Sequence, residues 1–130
     1  MAGIWRLFLA TPEAVPAARR ALDGLEGLSA ATRHVLELLT SELVTNAVKH
    51  GASDPNEAIL LSARRTDGTV RVEVCDEGLN SFDADPDGTD LMEPGGNGLV
   101  LVEALASRWG VDRGQPKCVW FEAEAEAAAA

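Results

Sequence analysis

The sequence predicts a mixed α/β domain of the α+β kind, and three observations carry that reading. Apolar residues recur at helical spacing in three separate stretches. Short runs rich in Val, Ile, Leu and Trp stand between them, as strands do. Thr66-Asp67-Gly68 and Gly114 to Pro116 are turn sequences that fold four of those runs into two hairpins.

Ile4 to Ala10 carries Ile, Trp, Leu and Phe in imperfect alternation, which suits a first strand at a sheet edge. Thr11-Pro12-Glu13 then reads as a helix start, with the threonine hydroxyl as cap, proline at the first helical position and an acid in the first turn. Val15, Ala18, Leu22 and Leu25 continue it, and Gly24 and Gly27 end it. Ser29 can cap the longest element, a helix to about His50 with Val35, Leu36, Leu39, Leu43 and Ala47 on its apolar stripe and Gly51 after it.

Ala58 to Arg65 and Thr69 to Cys75 form the first hairpin. In its second strand Val70, Val72 and Val74 point one way while Arg71, Glu73 and Cys75 point the other, and the strand delivers Asp76 at its end. Regular patterning stops from Glu77 to Asn97, a stretch that contains no Lys or Arg. A loop of that length within one domain reads as a functional lid or a disordered segment. Gly98 opens a further helix through Leu99, Val102, Leu105 and Ala106, and Trp109 to Asp112 with Lys117 to Glu122 makes the last hairpin. The boundaries are one domain over 1–123 and an Ala/Glu-rich tail over 124–130, which is expected to fray.

A chain of 130 residues can bury one substantial core. Its net charge of -10 argues against a partner such as nucleic acid or an anionic membrane and favours a basic protein. Cys75 and Cys118 are the only cysteines. Both sit in apolar runs, and the expectation is two buried, reduced thiols in a reducing compartment. Arg6 interrupts the first apolar stretch, so no signal peptide is evident; no segment approaches the length of a membrane span, and a cytoplasmic location is expected.

Three constellations carry candidate chemistry. Glu42, Asn46 and His50 recur every four residues, placing a carboxylate, an amide and an imidazole on successive turns of one helix face. An amide oxygen from Asn46 together with phosphates would suit magnesium, and Glu42 one turn earlier would suit a general base. Asp76-Glu77-Gly78 ends a Val-rich strand, where a carboxylate can accept from an exocyclic amine and glycine admits a ligand close to the backbone. Gly95-Gly96-Asn97-Gly98-Leu99 opens a helix, and the free N–H groups of such a turn attract phosphate.

Glu42-x-x-x-Asn46-Ala47-x-x-His50-Gly51, Asp76-x-Gly78 and Gly96-x-Gly98-Leu99, in that order, resemble the N box and the two glycine boxes of the GHKL ATPase superfamily. The stretch G-L-V-L-V-E-A-L-A-S-R-W-G-V and the ending K-C-V-W-F-E are similar to the single-domain anti-sigma factor serine kinases of the SpoIIAB/RsbW type. The resemblance implies a Bergerat-type two-layer α/β sandwich, with helices on one face of a mixed, mainly antiparallel sheet. It implies ATP and Mg2+ as cofactors. Asn46 would hold the metal, Glu42 would act as base, and Asp76 would read the adenine amine. Gly78 would line the adenine pocket and Gly96, Asn97, Gly98 and Leu99 would pass the phosphates, with Lys49 and His50 at the phosphate end of the helix. Cys118 stands where the family usually has a threonine beside the adenine.

The implied partners are a sigma factor and an anti-sigma factor antagonist phosphorylated on serine, with a possible homodimer. The alternatives are a non-catalytic nucleotide-binding interaction module and a detached ATPase domain serving a phosphatase or a histidine kinase. Asn80 replaces a second glycine, and Asn97 stands where relatives often carry a basic residue. A lid without cations brings like charges together over a triphosphate, so slow ATP turnover is expected. Asp83-x-Asp85-x-Asp87-Gly88 with Glu93 also resembles part of a calcium loop, although Pro86 inside it counts against that reading.

Overall fold

The parity of Val70, Val72 and Val74 against Arg71, Glu73 and Cys75 organises the sheet, because side chains alternate between its two faces. The three valines are buried. The computed structural model describes residues 2–51, 54–76, 97–114 and 116–128. Strands β1 (Ala2–Leu9), β2 (Ala58–Thr66), β3 (Thr69–Asp76), β4 (Arg108–Asp112) and β5 (Lys117–Glu124) lie in the order β1-β2-β3-β5-β4. Every neighbouring pair is antiparallel, so the expected mixed sheet is wholly antiparallel among the described strands.

Helices α1 (Ala14–Ala21), α2 (Ala30–Asn46) and α3 (Asn97–Leu105) make the second layer. Their apolar stripes meet the inner face of the sheet in one core that contains Leu36, Leu39, Leu43, Val44, Val72, Val102 and Phe121. Burial of this apolar surface is the main stabilising term. On the outer face Arg71 lies over the Trp120 ring at 4.0 Å and pairs with Glu73 and Glu122. Edge strand β1 leaves Trp5, Leu7 and Leu9 exposed.

Ser29 caps α2 as expected, its side chain accepting from the Thr32 N–H at 3.1 Å. Thr11 does not cap α1. The Ala14 N–H that a hydroxyl cap would satisfy donates instead to the Thr11 carbonyl at 2.9 Å, and the helix starts only at Ala14. The chain between α1 and α2 holds a 3-10 turn over Leu22–Gly24 and then Gly27 at φ +80°, a left-handed conformation suited to glycine. The β2–β3 turn places Asp67 at φ 45°.

Two expectations are corrected here. The tail does not fray over 124–128: Glu124 ends β5, Ala125 donates to the Gly68 carbonyl, and Ala128 donates to the Gly27 carbonyl. Cys75 and Cys118 are not separate thiols. They lie opposite each other in the β3–β5 register and are joined as a disulfide.

Candidate functional site

Where β3 ends, strand parity turns Asp76 to the inner face, in line with Val74 and Val72. Its register partner on β5 is Lys117, in line with Val119 and Phe121. Helix α2 passes over this corner, and Leu43, Asn46, Ala47, Val74, Asp76, Lys117 and Val119 line one small cavity. The walls are mainly apolar, with an amide, a carboxylate and an ammonium converging on them. At about 10 Å³ the cavity has room for little more than one water molecule, so a ligand could place only a single polar edge there.

Asp76 and Lys117 are both buried, and the Lys117 Nζ lies 3.9 Å from Asp76 Oδ2. Two charges withdrawn from water need each other, so the pair is a constraint on the pocket as well as a part of it. Sequence reading missed Lys117. A lysine opening a strand reads as solvated; the signal that could have found it is the shared parity with Val119 and Phe121, together with the register that pairs it with Asp76.

Asn46 is half-buried at the last residue of α2, and Glu42 is half-buried one turn before it. The backbone then widens into a π-helical turn over Ala47–Gly51. A π turn breaks the four-residue register, and such turns are frequent at functional sites. Lys49 and His50 sit in it and are exposed, so the third member of the expected row leaves the regular spacing.

Cys118 does not face this cavity. Parity sends it to the outer face, where its sulfur, that of Cys75 and the Glu73 carboxylate lie within 4.8 Å of one another. A side chain bonded there cannot stand beside an adenine on the inner face, which corrects the expected role of Cys118. Its neighbour Lys117 occupies the inner position instead.

Asn97, Gly98 and Leu99 are the first described residues of α3. Gly78, Gly96, the lid over 77–96 and the calcium-like acidic run Asp83 to Glu93 lie outside the described residues. Asn46 offers an oxygen donor of the kind magnesium prefers, and Glu42 adds a carboxylate one turn away, so the donor chemistry fits a hard divalent cation.

Comparison with known proteins bears on the family and the fold. No curated protein matches the sequence. The histidine kinase domain of the blue-light activated histidine kinase from Erythrobacter litoralis EL346 is similar in structure, with a TM-score of 0.55 at 23% identity. The match covers 86% of this chain and 58% of that one, so the likeness is one of fold and this chain spans little more than half of that domain. The profile of the histidine kinase-like ATPase domain matches residues 8–122. That span takes in every described strand and helix in whole or in part, and the chain belongs to the histidine kinase-like ATPase domain family.

Proposed function

We propose that this protein is an ATP-binding regulator of the anti-sigma factor kinase type, binding a sigma factor and phosphorylating a serine on an antagonist protein. The observation that carries the nucleotide part is that Asn46, from the end of α2, and Asp76, from the end of β3, line one apolar-walled cavity. Membership of the family implies ATP as the ligand.

Each residue then has a task of its own. Asp76 accepts from the exocyclic amine of the adenine, which orients the base. Asn46 supplies an amide oxygen to Mg2+, and the ion neutralises phosphate charge when bound. Glu42, half-buried one turn earlier, takes the proton from the attacking serine hydroxyl. Phosphoryl transfer asks mainly for positioning and charge stabilisation, which a helix end and a strand end held by one core can provide. The exposed Trp5, Leu7 and Leu9 on edge strand β1 support a protein partner or a second copy of the chain, and the net charge of -10 favours a basic partner over a second copy.

A second reading, a nucleotide-binding interaction module without turnover, is favoured by the slow turnover expected from a lid sequence without Lys or Arg. Calorimetry with ATP and Mg2+ on the protein and on Asn46→Ala tests the nucleotide reading: binding by the parent and loss of its magnesium dependence in the variant are expected. A parent protein that binds no ATP would defeat both readings. Single-turnover transfer of labelled phosphate to a serine-bearing antagonist, abolished in Glu42→Gln, separates the kinase from the module.

A further inference from the structure

Cys75 and Cys118 are the last pair but one of the described β3–β5 ladder and are joined on the outer face, while Asp76 and Lys117, the last described pair, face the cavity on the inner face. The bond and the polar corner of the pocket are therefore one residue apart on both strands. We propose that this disulfide is a redox-active clamp that sets nucleotide affinity, opened and closed by exchange with a low-molecular-weight thiol and its disulfide. The proposal rests on the nucleotide reading of the cavity.

Three features support it. Cys118 is half-buried whereas Cys75 is 7% exposed, so Cys118 is the more open of the two residues. The link joins two strands that are already hydrogen-bonded neighbours, so the ladder and the core beneath it remain when it opens. Asp76 and Lys117 follow the bridge directly in the register, so the covalent link sits beside the pair that lines the cavity.

Opening proceeds in two exchanges. The thiolate of the small thiol attacks the Cys118 sulfur, the S–S bond breaks, and Cys75 leaves as a thiolate that takes up a proton. A second small thiolate attacks the mixed disulfide and releases Cys118, which takes up the other proton. Two small thiols are oxidised to one small disulfide, and the protein bridge is reduced by the same two electrons. Closing is the reverse, with the small disulfide as oxidant.

The direction of the effect follows from preorganisation. With the bridge closed, Asp76 and Lys117 are fixed before ligand arrives; with it open, their ordering is added to the cost of binding. Reduction is expected to weaken ATP affinity by about two- to tenfold, the cost of ordering one such side chain.

The test uses the full chain in oxidised and dithiothreitol-reduced forms, each verified by alkylation and intact mass. No other cysteines complicate the count. Calorimetry with ATP and Mg2+ then compares the two forms, circular dichroism confirms that both stay folded, and Cys75→Ser/Cys118→Ser is measured with and without reductant. Tighter binding by the oxidised form, with the double variant matching the reduced form under both conditions, is expected. Equal affinity in the two forms overturns the clamp, and so does a bridge that resists reduction until the protein unfolds. Absence of ATP binding in both forms is a different result: it refutes the nucleotide reading, and the clamp with it.

Discussion

The Lys117 ammonium lies 3.9 Å from the Asp76 carboxylate, with both residues buried at the corner where β3, β5 and α2 meet. Removing one member of a buried pair withdraws its charge from the other, a cost of about 3 kcal/mol. Lys117→Met should therefore lower stability by about that amount, read as a lower midpoint in urea. Because Asp76 then lacks its ammonium neighbour, ATP should raise the variant's midpoint more than the parent's. A double-mutant cycle with Asp76→Asn should recover part of the loss. Additive losses would show that the two side chains do not interact.

How much of this corner was legible in the sequence depended on strand parity. Val70, Val72 and Val74 alternate cleanly with polar residues, and two-residue periodicity carries Asp76 inward without further information. In Lys117-Cys118-Val119-Trp120-Phe121 four consecutive residues are apolar, so the pattern does not say which of them face the core. Cys118 was assigned to the pocket by resemblance and belongs on the outer face; Lys117, passed over as a polar strand start, belongs inside. Register is a property of two strands 43 residues apart, and no local spacing encodes it. In the helix row, Glu42 and Asn46 fall within the α-helical part of the element and His50 falls in the π turn, a change of backbone that the four-residue spacing does not announce.

Gly110 on β4 is opposite Trp120 on β5, and a Cβ built on it would stand 2.8 Å from the indole Cζ2. That ring also carries the Arg71 and Arg108 guanidinium groups over its face. Gly110→Ala would have to displace the indole and its stacked cations. A loss of about 1–3 kcal/mol is expected, with a shift in tryptophan fluorescence showing that the ring has moved. An unchanged midpoint and spectrum would mean that Trp120 yields without cost.

Thr40 lies on the buried face of α2, fully enclosed, and its hydroxyl has no hydrogen-bond partner among the described residues. A buried hydroxyl without a partner carries its desolvation cost into the fold, while valine has nearly the same shape and no such cost. Thr40→Val is expected to raise stability by up to about 1 kcal/mol, and Thr40→Ala to lower it by opening a small void. A destabilised Thr40→Val would reveal a role for the hydroxyl that packing does not show.

The chain's last described residues have a composition that suggests an idle tail, yet they close the fold between two turns and a helix cap. The Ser29 N–H donates to the Glu126 carbonyl at 2.8 Å, Glu126 donates to Thr32 Oγ1 at 3.1 Å, and Thr32 is the residue whose N–H the Ser29 side chain caps. Ala125 and Ala128 add bonds to Gly68 and Gly27 at 2.8 and 2.9 Å. Alanine and glutamate gave no apolar pattern to detect, because these contacts are made almost entirely by backbone groups, which every residue carries. Deleting residues 125–130 removes those four bonds and exposes the start of α2, so a loss of about 2–4 kcal/mol is expected at roughly 0.5–1 kcal/mol each. Faster amide exchange over Ser29 to Arg33 should accompany it, since that turn loses its outer partner first. A truncated chain with the parent's midpoint and unchanged exchange in that turn would show that the strand ladder alone holds the end of the molecule.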